Sequence, residues 1–212
     1  MKLLLNEREL TLSLPERTTL GSALLTAQEQ INEDEVIATI HVDGEPLTAQ
    51  LLSEWKNRPI GDFCETRIEA LKRPTLAGRG LRLLAQALAQ SNADRQQISE
   101  YLCQGRAAEA MNLLPEYLGI WQGAQQTLAS AARLLQLDLD RLEIFDAEQP
   151  DQTRMFPDCV AELTGQLGQV KFALEAGDLV LLSDLLDYEF APLTERWQNL
   201  LEQLADRFES PN

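Results

Sequence analysis

Residues 172–197 read FALEAGDLVLLSDLLDYEFAPLTERW, and their spacing decides the fold class. The Gly177-Asp178 pair is a stop followed by a start. Glycine tolerates the positive φ that closes a helix, and an aspartate carboxylate accepts the orphan N–H groups that open one. From there Leu179, Leu182, Leu186, Phe190, Leu193, Trp197, Leu200 and Leu204 follow at intervals of 3, 4, 4, 3, 4, 3 and 4, one continuous helical stripe. Pro192 lies inside it. Proline has no N–H and clashes with the carbonyl four residues back, so a kink or break is expected near residues 189–191. Asp184, Asp187, Tyr188 and Glu189 lie beside the stripe and form a candidate partner-binding patch. An oxygen-rich cation site is a second reading. A solvated helix shoulder with a half-buried Tyr188 is the plainest one, because charge on a helix usually marks its exposed face.

The same period extends upstream. Val160, Leu163, Leu167, Val170 and Leu174 keep 3-4-3-4 spacing behind Asp158. Ala107, Met111, Leu114, Leu118, Trp121, Leu128, Ala131 and Leu135 predict a long helix kinked at Pro115. Pro74-Thr75 opens another, with Leu76, Leu83, Leu84, Ala87 and Leu88 expected inward; it continues or breaks at Ser91-Asn92, and Gly105 is the stop. Residues 138–157 form an acidic connector holding Pro150 and Pro157. Short antiparallel connections between such helices define a bundle.

Before Pro74 the period changes from 3.6 to two. Residues 2–14 read as a hairpin turning at Asn6-Glu7-Arg8-Glu9, with Leu10, Leu12 and Leu14 alternating on the return. Thr18 or Thr19 caps a helix carrying Leu20, Leu24, Ala27 and Ile31. Val36, Ala38, Ile40 and Val42 alternate with Ile37, Thr39 and His41 in a strand expected to be central, and Asp43-Gly44 is its turn. Leu47, Leu51, Leu52 and Trp55 mark a short helix, and residues 63–71 a last strand. This order of elements over residues 1–71 resembles the ubiquitin-like β-grasp arrangement. The resemblance implies a mixed sheet used for recognition or as a structural module, and brings no shared catalytic residues. The expected fold class is therefore α+β, a small β-grasp-like mixed module (1–73) followed by a mainly α-helical bundle (74–212).

The 212 residues can bury a core without a metal or disulfide staple. The formal net charge is −16, which repels phosphate backbones and anionic lipid, so neither nucleic acid nor membrane is an expected partner. Against this acid, Arg67, Lys72, Arg73, Arg79 and Arg82 make residues 67–82 a basic segment, expected to dock on the acidic C-terminal part or to contact an anion. Cys64, Cys103 and Cys159 are odd in number and lack CxxC spacing, which points to reduced thiols and a cytoplasmic location. The opening MKLLLNERELTLS is too short and too charged for a signal peptide, and no apolar run approaches the ~18 residues of a membrane span.

Chemistry-bearing patterns are sparse. The one histidine, His41, sits in a predicted strand with no nucleophile or orienting acid nearby in sequence, and reads as structural. A single histidine excludes the paired Glu-x-x-His di-iron pattern, and Cys/His zinc spacings are absent. Gly78-Arg79-Gly80 can cradle an anion only if it precedes a helix rather than lying inside one. Asp138 with Asp140, or Asp184 with Asp187, offer carboxylate pairs but no EF-hand pattern. No cofactor or metal is expected. These features lead to a non-enzymatic cytoplasmic protein that binds another protein, or itself, through amphipathic helices in the manner of an adaptor or chaperone. The alternative is an enzyme or small-ligand binder that uses a cleft between the two modules, with residues 67–82 contacting an anionic ligand.

Overall fold

The computed structural model describes residues 2–10, 18–145 and 153–210. The fold is α+β, and the chain divides into two compact units, Met1–Leu76 and Ala77–Asn212.

In the first unit β1 (Lys2–Leu5), β2 (Arg8–Glu9), α1 (Leu20–Gln28), β3 (Glu35–Val42), β4 (Glu45–Pro46), α2 (Ala49–Trp55) and β5 (Glu65–Lys72) follow in order. The sheet order is β2-β1-β5-β3-β4, with β1 parallel to β5 and every other pairing antiparallel. That is the β-grasp arrangement. The central strand is β5, which corrects the expectation that β3 would be. β5 alternates cleanly, with Thr66, Ile68 and Ala70 buried. Leu3, Leu20, Leu24, Ala27, Val42, Phe63 and Ile68 make the core of this unit. Thr19 caps α1 by accepting the Ser22 N–H, and Thr48 caps α2 through the Leu51 N–H.

The expected alternation in β3 fails at one point. Ile37 pairs with Ala70 but Thr39 with Glu69, so Ala38 is the extra residue of a bulge. A bulge puts two residues opposite one and moves everything beyond it to the other face. Ile37, Ile40 and Val42 therefore face the core, and Val36 does not share their side.

Two polar side chains fix the turns. Asn6 and Glu7 both take positive φ between β1 and β2, and Asn6 Oδ1 accepts the Ala70 N–H at 2.8 Å. Asp43 and Gly44 do the same between β3 and β4, where Asp43 Oδ1 accepts from Cys64 and Glu65 N–H at 2.8 and 2.7 Å. The return strand beyond Leu10 falls on residues 11–17, outside the described residues.

The second unit is helical. α3 (Arg73–Cys103) is unbroken at Ser91-Asn92, and α4 (Ala107–Leu135) runs through Pro115. Leu83 is exposed and Leu81 takes the inward position. The stretch 138–157 is more than a connector. It holds β6 (Glu143–Phe145) paired antiparallel with β7 (Thr153–Met155), and residues 146–152 lie outside the described residues. α5 (Phe156–Ala176), α6 (Leu179–Asp184), a π-turn (Leu185–Phe190) and α7 (Ala191–Glu209) complete the chain.

Gly177 ends α5 with φ 66°, and Asp178 N–H reaches back to Ala173 C=O at 2.9 Å, a Schellman closure. Asp178 then caps α6 by accepting the Leu181 N–H at 2.9 Å. Leu182, Leu186, Phe190, Leu193, Trp197, Leu200 and Leu204 are all buried. Phe190 is the hub of an aromatic chain, 6.1 Å from Tyr117 and 5.8 Å from Trp121, and Trp121 packs edge-on against Trp197 at 6.1 Å.

Candidate functional site

The expected disturbance at Pro192 takes the form of the π-turn, one residue wider per turn than an α-helix. Pro192 has no N–H for the Tyr188 carbonyl four residues back, and shifting to i→i+5 bonding carries the chain past that gap. Such turns are uncommon and cost energy, so something must hold them.

What holds this one is a polar seam between α3 and the π-turn. Arg95 on α3 is only 6% exposed. Its guanidinium donates to the Leu186 carbonyl at 3.0 Å and to Asp187 Oδ1 at 2.9 Å, while its Nε donates to Asn92 Oδ1 at 3.4 Å. The Ser99 hydroxyl donates to Asp187 Oδ2. Ser99 Oγ lies 2.9 Å from Ser183 Oγ, and Ser183 Oγ lies 3.6 Å from Cys103 Sγ. Asn92, Arg95, Ser99 and Cys103 are spaced 3, 4 and 4, so one stripe of α3 supplies the whole near side. Sequence reading missed this stripe because its residues are polar and the search for helix faces followed apolar ones.

Next to the seam, Tyr117 and Trp121 of α4 are fully buried, and neither the Tyr117 hydroxyl nor the Trp121 Nε1 has a hydrogen-bond partner among the described residues. Burial pushes the Tyr117 phenol up to about 12, and the nearby Trp121, Thr194 and Arg95 only partly oppose it. Thr194 itself donates to the Phe190 carbonyl at 2.7 Å, closing the far end of the π-turn.

The four predicted patch residues separate into two kinds. Asp187 is tied to the seam by Arg95 and Ser99, with its side chain still 40% exposed. Asp184, Tyr188 and Glu189 face outward. Tyr188 is 74% exposed rather than half-buried, and Glu189 accepts from Gln166 Nε2 at 3.2 Å. Val180, which the stripe reading passed over, is 73% exposed. Val180, Asp184 and Tyr188 are four residues apart and form one outward row along α6 and the π-turn.

The basic segment is largely occupied within each unit. Arg67 pairs with Glu65 and Lys72 with Asp34. Arg82 bridges Asp206 and Glu209 at the end of α7, and these carboxylates raise its pKa from the ordinary value. Gly78 and Gly80 lie inside α3 and not ahead of it. A Cβ at Gly78 would come within 2.5 Å of Glu209 Oε1, so the glycine makes room for the carboxylate that Arg82 holds. His41 sits in β3 opposite Arg67 of β5 and Pro46 of β4. Among the described residues no group of three or more His, Cys, Asp or Glu is placed to hold a metal ion, and no helix is long and apolar enough to cross a membrane.

An α+β chain with a β-grasp module and a helical unit built around a π-turn is the class these observations define. Residues 84–200, more than half of the chain, match the family described as a domain of unknown function, DUF8042, and the chain belongs to that family. The match spans the polar seam, the π-turn and the outward row. Residues 1–72 are similar to the TP0873 N-terminal domain. No curated protein and no solved structure matches the chain.

Proposed function

We propose that this protein is a non-enzymatic, adaptor-like protein that binds another protein along the row Val180–Asp184–Tyr188, with Glu189 beside it. The observation that carries the reading is the exposure of Val180 and Tyr188, 73% and 74%, on one side of the same short segment. Single exposed apolar residues are ordinary on protein surfaces. Two of them flanking an acid, on a segment that runs into a π-turn tied to the buried Arg95 through Asp187, are less so. π-turns inside helices are frequently found at functional sites. Tyrosine suits an interface because it brings a large rigid ring with a polar tip. The seam keeps the row in one geometry, which lowers the cost of binding. No disulfide joins Cys64, Cys103 or Cys159, in keeping with a cytoplasmic location.

Affinity purification from the lysate of the source organism tests the reading. The tagged protein should retain one other protein in near-stoichiometric amount, and Val180→Ser with Tyr188→Ser should lose it at unchanged melting temperature. Identical eluates from the two would refute it.

A further inference from the structure

The charge around the row specifies its occupant, and this step rests on the protein-binding reading above. Between residues 172 and 195 there are six acids, Glu175, Asp178, Asp184, Asp187, Glu189 and Glu195, and no base. Four have local work, Glu189 by accepting from Gln166 Nε2. Asp187 pairs with Arg95, Glu175 with Lys171, and Asp178 caps α6. Among the described residues no cation pairs with Asp184, Glu189 or Glu195. Exposed carboxylates are ordinary on a charged surface, but here one stands between two exposed apolar side chains. We infer that the row receives a cationic amphipathic helical segment of a partner protein.

The geometry fixes the pattern of that segment. Val180 and Tyr188 are eight residues apart, about 12 Å at the helical rise of about 1.5 Å per residue. A helix lying alongside must offer two apolar residues about two turns apart, with a Lys or Arg between them over Asp184. A second copy of this chain is the wrong occupant, because it would bring the same acids to the row and carries the same net charge of −16. An anionic membrane surface is disfavoured for the same reason.

The probe is a synthetic amphipathic helix with leucines two turns apart and lysines between and beside them. Its counterpart keeps the leucines and replaces every lysine by glutamate. Calorimetric titration of the full chain with each, at low and at physiological salt, gives the expected result. The lysine peptide binds, more weakly as salt rises, and the glutamate peptide does not. Val180→Ser with Tyr188→Ser weakens the lysine peptide by about tenfold or more. Asp184→Asn weakens it by about two- to fivefold and flattens the salt dependence. Leu25→Ser, an exposed site in α1, changes nothing. If the glutamate peptide binds equally well and the row variant abolishes it, the charge assignment is wrong while the row remains a binding surface. If the lysine peptide fails to bind, or binds wild type and row variant alike, both the charge assignment and the row are wrong. Self-association that the row variant abolishes would overturn the proposal in favour of a second copy.

Discussion

Arg95 of α3 donates to Asp187 of the π-turn at 2.9 Å, and this pair ties one of the four patch residues into the fold. Arg95 is nearly enclosed while Asp187 keeps a path to water. Removing the carboxylate leaves a buried guanidinium without its counter-charge. Fully buried pairs broken in this way lose about 3–5 kcal/mol, and solvent access reduces that here to about 1–3 kcal/mol for Asp187→Ala. Urea denaturation measures it. Arg95→Met with Asp187→Ala should cost less than the sum of the single changes, because no unpaired charge remains.

Leu186 lies one residue before Asp187 and is fully buried. Leu186→Ala should cost about 2–5 kcal/mol through lost transfer energy and the cavity left behind. Against a typical total of about 5–15 kcal/mol, the melting temperature should fall by several degrees or more. A loss under about 1 kcal/mol would place Leu186 outside the core.

Tyr117 gives the pH prediction. Its folded-state pKa is about 12, above the ordinary value near 10, because burial disfavours the phenolate. The stability it contributes is fully present below about pH 10. It is lost as pH rises toward 12, since the unfolded chain releases the proton first. The loss amounts to roughly 2–3 kcal/mol by pH 12. Tyr117→Phe should remove this slope from alkaline denaturation curves. It should leave neutral-pH stability unchanged or slightly higher, because the buried hydroxyl has no protein partner to lose.

The alternation, the helical stripes and the turn residues made much of the fold legible. Gly177-Asp178 marked a helix end and the next start, Asp43-Gly44 marked a turn, and the order of elements pointed to the β-grasp sheet. What was hidden has physical reasons. The bulge at Ala38 adds a residue without changing its type, so period-two reading carried the wrong face past it. Leu81 and Leu83 are the same residue type, and only packing decides which turns inward. α4 ends at Gln136 with φ 55°, a conformation that glycine would have announced and glutamine does not. Pro192 signalled a disturbance, yet a π-turn and a broken helix leave the same mark in sequence. At the site, Asp187 and Asp184 look alike in the chain. Only the tertiary approach of Arg95, 92 residues away, separates a structural acid from an outward one.

The outward row and the seam beneath it should respond oppositely. Val180→Ser and Tyr188→Ser change exposed side chains and should shift stability by no more than about 0.5 kcal/mol each. A Ser99→Ala change removes a donor to Asp187 and should cost about 1 kcal/mol, measured by the same urea midpoints.

The most direct test of a binding row is photo-crosslinking from position 188 in living cells. Tyr188→p-benzoylphenylalanine places the reactive ketone where the row is most exposed, and the same replacement at Leu25 serves as control. Irradiation should link position 188 to one other polypeptide carrying a cationic amphipathic segment, and position 25 should give no such adduct. Only monomer at position 188, or the same adducts from both positions, would contradict this.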